Sequence, residues 1–475
     1  MTEILTPDIC VIGAGAGGLS VAAAAAAFGV PVVLIEKGKM GGDCLNVGCV
    51  PSKALIAAAR RAHEGRRSAR FGIDVTGIAV AHPQVRRHVH DVIAAIAPND
   101  SEARFAGLGV RVLSAEARFL DPLTVAAGDR WLVRARRFVI ATGSVPAIPP
   151  IPGLDQTPYL TNESIFDLEE CPSHLIVIGA GPIGLELAQA YRRLGAWVTV
   201  LDAAIPLAKE DAECARVVLD RLAGEGIALR TNVRISRVAR AGEGVQIAVD
   251  GRDGDEVIGG SHLLVAAGRR AVVDGLDLDK AGIATGPTGI IVNKALRTSN
   301  RRVYAIGDAT GGAQFTHVAN YHAGLVVRNA LFRLPVRVKD TIVPRVTFTD
   351  PELAHVGLTE KEAHDQFGEI RVLRWPFHDN DRAQTECDTV GHVKIVTTKR
   401  GKILGATIVG TQAGELISSW ALALARGLNI RAMAACVLPY PTRAEAGKRA
   451  AIEFFAAGLT NPYLRRIIAL LRRFG

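Results

Sequence analysis

The chain has 475 residues, 49% hydrophobic and 5% aromatic, with 49 glycines, which suits two or three domains of parallel α/β build with many tight turns and ample material for buried cores. Its net charge of +9 comes without a basic run interleaved with aromatics, so nucleic-acid binding is not expected; the charge reads as arginine-rich solvated faces able to attract anionic dinucleotides or acidic partners. The first residues lack a signal-peptide pattern, no apolar run reaches the ~18 residues that span a bilayer, and seven cysteines, mostly scattered, fit a reducing, cytoplasmic setting.

The first unit is strand–helix–strand. Asp8-Ile9-Cys10-Val11-Ile12 is mostly apolar and suits a buried parallel strand. Gly13-Ala14-Gly15-Ala16-Gly17-Gly18 follows, then an alanine-rich helix from Leu19 to Phe28 and a second strand, Val32 to Ile35, ending at Glu36. Gly13 permits the tight turn, Gly15 lets the backbone approach a pyrophosphate, and Gly18 lets the helix pack close to the strand. The phosphates meet the N–H groups at the helix start, and Glu36 can accept hydrogen bonds from a ribose.

Next comes Gly41-Gly42-Asp43-Cys44-Leu45-Asn46-Val47-Gly48-Cys49-Val50-Pro51-Ser52-Lys53. Pro51 suits the first turn of a helix, where its missing N–H costs nothing, so Cys49 falls at or just before a helix N-terminus. The helix dipole and unpaired N–H groups there favour a thiolate. Lys53, one turn on, adds positive charge on roughly the same face. The pattern predicts a reactive thiol beside a second thiol that can close on it. Free cysteines more often serve as small buried hydrophobes, but the flanking residues and the two dinucleotide fingerprints weigh against that here.

Residues 54–135 are less informative. Phe138-Val139-Ile140-Ala141-Thr142-Gly143 reads as a strand ending in a small-residue turn, and Pro146, Pro149, Pro150 and Pro152 mark a crossover between domains. Residues 174–202 repeat the first unit, with Gly179, Gly181 and Gly184 in the fingerprint positions. Asp202 stands at the same offset from Gly179 as Glu36 does from Gly13. Two full fingerprints imply two dinucleotides, one handing electrons to the other, so FAD plus a nicotinamide cofactor is the natural pair. Asp202 suits a free 2′-hydroxyl and repels a 2′-phosphate, and Ala203 and Ala204 offer no arginine; NAD is therefore expected over NADP. Later runs such as His392 to Val396 and Ile403 to Val409 alternate as in an antiparallel sheet, followed by a helix from about Glu415 to Arg426. Near the end Leu464, Ile467, Ile468 and Leu471 recur at helical spacing between Arg465, Arg466, Arg472 and Arg473. Such a helix usually packs its apolar face on its own protein, which is the expectation here, with contact to an anionic membrane as the alternative.

The segment from Gly41 to Lys53 closely resembles the active-site segment of the flavin-dependent pyridine nucleotide–disulfide oxidoreductases, among them dihydrolipoamide dehydrogenase, glutathione reductase and mercuric reductase. The resemblance runs over essentially all 475 residues. It implies an α/β fold with two Rossmann-like dinucleotide-binding domains and a C-terminal α+β dimerisation domain. FAD would occupy residues 1–150 and 269–343, NAD(P) residues 151–268, and residues 344–475 would form the interface of a homodimer. Thr142 and Gly143 resemble the segment that closes over the flavin dinucleotide, and Gly268 ends the return strand into the flavin domain. Gly307 and Asp308 resemble the second flavin motif, whose aspartate binds the ribityl hydroxyls. Glu186 matches a glutamate near the nicotinamide that pairs with the lysine matched by Lys53.

One segment departs from the pattern. In dihydrolipoamide dehydrogenase and glutathione reductase, Pro439-Tyr440-Pro441-Thr442-Arg443-Ala444-Glu445 has histidine at the Tyr440 position, delivered from the partner subunit, while the glutamate matches Glu445. Tyrosine, with a pKa near ~10, is a poor base at neutral pH. Mercuric reductases share a tyrosine there but carry a vicinal cysteine pair near the C-terminus, and no cysteine follows Cys436 here. The expected activity is electron transfer between NAD(H) and a small or protein-bound dithiol/disulfide through Cys44 and Cys49, like dihydrolipoamide dehydrogenase. Cys49 faces the flavin in that reading and Cys44 exchanges with substrate. The alternatives are mercury(II) reduction, a quinone or oxygen reductase, or a subunit of a lipoyl-dependent complex. No resident metal is expected.

Overall fold

Strand β1, Ile9–Ile12, is fully buried, as its unbroken apolar run requires, and lies at the centre of a parallel sheet. This computed structural model describes residues 2–251, 254–456 and 461–474. The chain divides into two units: Met1–Arg67, Val75–Leu201 and Val233–Val338 form the first, and Ser68–Asp74, Asp202–Asn232 and Lys339–Gly475 the second. The architecture is mixed α/β throughout.

In the first unit, β1 is flanked by β2 (Val32–Glu36) and β4 (Arg137–Ile140), with β3 (Val110–Ser114) outside β2 and Val303–Ala305 outside β4. Helix α1, Ala16–Ala27, crosses from β1 to β2 and packs through Leu19, Val21, Ala22 and Ala25. A second parallel array repeats this plan: β5 (His174–Ile178) runs beside β6 (Trp197–Asp202) and β7 (His262–Val265). Helix Pro182–Leu194 makes the crossover. The repeat extends to atomic detail. A Cβ on Gly13 would strike the carbonyl of Ala141 just past β4, and one on Gly179 would strike that of Ala266 just past β7. Gly18 and Gly184 likewise lie against the carbonyls of Gly13 and Gly179.

The second unit holds a five-stranded antiparallel sheet ordered Arg345–Thr347, Glu352–Gly357, Ile403–Gly410, His392–Thr398, Ile370–Pro376. Helices Ala413–Ala425 and Glu445–Glu453 share one core with it through Ile408, Trp420 and Ala450. Lys394 is 3% exposed and contacts Asp211 at 2.8 Å, Glu213 at 2.9 Å and Glu360 at 2.6 Å. His355 is fully buried between the Thr407 hydroxyl and the Gly357 carbonyl.

The helix Pro462–Leu471 differs from expectation. Its apolar face does not pack on the chain: every residue from 462 to 474 is exposed. No helix among the described residues is long and apolar enough to cross a membrane.

Burial lowers the His355 pKa to about 4, and its hydrogen bond from Arg374 lowers that of Glu213 to about 2. Below the ordinary value of each, the unfolded chain binds more protons than the folded one, so both contributions are lost as pH falls. Urea-midpoint measurements should show stability declining as pH falls from about 6.5, first through His355 and then through Glu213. Lys394→Met should cost about 3–5 kcal/mol at pH 7 by stranding the buried Asp211 carboxylate, and a smaller loss would show that carboxylate to be solvated.

Candidate active site: two cradles and a thiol pair

Two turns offer room for a dinucleotide. Gly15 and Gly181 have ordinary extended backbone angles that any residue adopts, so conformation does not demand glycine there. A Cβ on Gly181 would meet nothing within 4 Å, and one on Gly15 only the Gly42 Cα at 4.0 Å. Neither glycine is imposed by protein neighbours, and both begin helices whose free N–H groups suit a pyrophosphate. Glu36 accepts from the Ala14 N–H at 2.5 Å and the Gly38 N–H at 2.7 Å, which holds its carboxylate at the first turn. Asp202 ends β6 and accepts from the Ala204 N–H at 2.8 Å. The residues fit two dinucleotides.

The thiols sit on consecutive helices. Helix α2, Gly42–Asn46, carries Cys44, and α3 begins at Cys49 and runs to Arg66. Gly48 caps α3; a Cβ there would lie 2.9 Å from the Asp43 carbonyl, so glycine lets the two helices fold back on each other. Cys49 thus occupies the first helical position, as expected, with Pro51 buried in the first turn. The Cys44 thiol donates to Cys49, and the Thr316 hydroxyl stands 3.5 Å from Cys49 Sγ. The hydrogen bond from Cys44 lowers the Cys49 pKa to about 6, aided by Thr316 and Lys53 against the opposing effects of burial and Glu186. The same hydrogen bond, then burial, pushes the Cys44 thiol up. The pair thus favours ionisation at Cys49 over Cys44, although Cys44 is the less exposed of the two. Lys53 Nζ meets Glu186 Oε2 at 2.8 Å, and Glu186 is buried.

A polar chain that the sequence did not reveal supports this loop. Arg269 bonds Asp43 at 3.2 Å and both the hydroxyl and the carbonyl of Ser144 at 2.8 Å. Ser144 in turn donates to Asp308 at 2.6 Å. Asn162 donates to Asp43 and to the Val47 carbonyl. Burial raises the Asp308 pKa, opposed by Ser144 and Arg269. His322 accepts from the Gly307 N–H at 3.2 Å, and Thr142 donates to the Val272 carbonyl at 2.6 Å. Gly143 and Gly268 take positive φ angles of 73° and 122° just beyond β4 and β7. Of the flavin-side residues named from sequence, Glu36, Thr142, Gly143, Gly307 and Asp308 gather at the ends of one sheet, whereas Gly268 lies just beyond β7 of the second array. A cavity of about 370 Å³ opens beside them, walled by Cys44, Leu45, Thr316, Asn320, Asp100 and Arg104.

In the second unit Tyr440 is 70% exposed and donates to Asp381 at 2.8 Å, which raises its pKa. Glu445 opens the helix Glu445–Glu453.

Paired dinucleotide cradles with a thiol pair at a helix start define a nucleotide-linked flavoprotein disulfide reductase. Residues 7–323 match the family model for pyridine nucleotide-disulphide oxidoreductases and residues 343–451 match that family's dimerisation domain, and the chain belongs to this family. It is 37% identical to a mercuric reductase of Streptomyces lividans over 94% of this chain and 96% of that one. It is 34% identical to the dihydrolipoyl dehydrogenase of Geobacillus stearothermophilus over 94% and 95%. Among solved structures it resembles LpdA of Mycobacterium tuberculosis, with TM-score 0.86 and 29% identity over 94% of this chain and 99% of that one. It also resembles the copper(II) complex of the HOCl-induced flavoprotein disulfide reductase RclA of Escherichia coli, with TM-score 0.83 and 27% identity over 93% and 98%. Family enzymes use FAD and a nicotinamide dinucleotide, and the dimerisation domain supports a homodimer.

In the reduced protein, alkylation of Cys49 by iodoacetamide should rise with a midpoint near pH 6. Thr316→Val and Lys53→Met should each move that midpoint upward. A midpoint at the ordinary thiol value, about 8.5, would refute the assignment of Cys49 as thiolate.

Proposed function

We propose that the chain is an NADH-dependent disulfide oxidoreductase acting on a small or protein-bound dithiol/disulfide of the lipoyl kind. What supports this is the placement of the sulfurs: Cys49 at the start of α3, beside Cys44, which forms part of a cavity wall. Bound FAD supplies the two-electron link between nicotinamide and the thiols. Asp202, at the end of β6 with no arginine after it, favours NADH. The Lys53–Glu186 pair orients groups on the nicotinamide side, and Glu36, Thr142, Gly307 and Asp308 line the flavin side.

A substrate disulfide enters the cavity and meets Cys44. The Cys44 proton passes to Cys49 along the hydrogen bond between them, and the Cys44 sulfur attacks one substrate sulfur, releasing the other as a thiolate. The Cys49 proton passes to that leaving group. Cys49 sulfur then attacks Cys44, forming the Cys44–Cys49 disulfide and expelling the second substrate thiolate, which takes a proton from water. Cys49 thus does part of the work of the missing histidine. By the family resemblance, the segment with Tyr440 and Glu445 would serve the bound group of the other subunit of a homodimer; the Tyr440 hydroxyl here donates to Asp381.

Tyrosine at position 440 and the mercuric reductases among the relatives favour a second reading, in which Hg(II) takes electrons at the same sulfur pair.

A steady-state panel of NADH and NADPH against lipoamide, glutathione disulfide, Hg(II) and a quinone separates these readings, with lipoamide and NADH expected to give the highest kcat/KM. Cys44→Ser should abolish disulfide reduction while NADH still reduces the flavin; disulfide turnover at the original rate would refute the role of Cys44. Asn320→Trp, narrowing the cavity at an exposed position, should raise the disulfide KM about tenfold, ~1.4 kcal/mol, and leave the NADH KM unchanged. An unchanged disulfide KM would move the substrate path elsewhere.

A further inference from the structure

The helix Pro462–Leu471 is unlike the others in the chain. Leu464, Ile467, Ile468 and Leu471 are 45–60% exposed, as are Leu470 at 54%, Tyr463 at 72% and Phe474 at 80%. At about 100° per residue the six of these within 462–471 fill one continuous arc of the helical wheel. Arg465 and Arg466 fall on the opposite arc with Ala469, Arg472 and Arg473 follow the last turn, and residues 461–474 contain no acidic residue. Asn461 caps the helix by accepting from the N–H groups of Tyr463 and Leu464, so its start is fixed locally. Its ten residues make a rod of about 15 Å, half the hydrocarbon thickness of a bilayer, so it can lie on a membrane and cannot cross one.

We propose that this helix docks the enzyme on an anionic phospholipid surface. The apolar arc enters the boundary between headgroups and acyl chains, Tyr463 and Phe474 sit at its ends at headgroup depth, and the arginines meet lipid phosphates. Charge decides between this occupant and a second copy of the chain. Residues 461–474 carry four arginines and no acidic residue, a charge that an anionic surface complements and that a second copy, bearing the same four, does not. The family's dimerisation match ends at residue 451, before this helix begins.

The test uses the full-length holoenzyme and vesicles of phosphatidylcholine with 30% phosphatidylglycerol (a fraction set on the order of an anionic leaflet), against phosphatidylcholine alone. Co-sedimentation with the anionic vesicles is expected, at least tenfold stronger than with neutral ones and weakened by salt. Ile467→Glu with Leu471→Glu should lower binding at least tenfold, and Arg472→Gln with Arg473→Gln should erase the preference for anionic lipid. Both double variants should keep wild-type NADH–disulfide turnover and dimer mass. Wild-type protein remaining in the supernatant, or the Ile467/Leu471 variant still sedimenting, overturns the proposal. So does conversion of either variant to a monomer, which would assign the face to a second copy.

Discussion

The proton between Cys44 and Cys49 is the interaction on which the site depends. It lowers the pKa of one sulfur and raises that of the other, favouring ionisation at Cys49. The backbone makes this sharing available: Gly48 lets α2 and α3 fold back on each other, and the opening turn of α3 presents N–H groups to Cys49. Lys53, tied to buried Glu186, adds a cation whose own carboxylate partner tempers it.

Much of this was legible in residues close together along the chain. Fingerprint glycines, a proline in the first turn and an acid at the end of the second strand are local signals. Their reasons are local too, since Gly18 and Gly184 each abut a carbonyl five residues back. The chain Asp43–Arg269–Ser144–Asp308 was not legible. Its members come from four distant segments, and no periodicity marks a residue whose role is to hold another in place. Ser144 in particular follows the small-residue turn at Thr142 and Gly143 without any pattern of its own.

The helix Pro462–Leu471 shows the converse. Periodicity identified the element and its two faces, yet the same periodicity describes a helix packed on a core and one laid on a surface. Only exposure separates the two. Tyr440 falls between these cases. Its identity alone signals a change in proton handling, and its bond to Asp381 shows a donor already engaged.

Gly42, which opens the thiol-bearing helix, stands against Gly15, where a side chain on Gly42 would come within 2.7 Å of the Gly15 Cα. The loop that does the chemistry is therefore seated on the turn that grips the prosthetic group. A side chain at position 42 would press the thiol-bearing helix away from that turn, so a single substitution would disturb both at once.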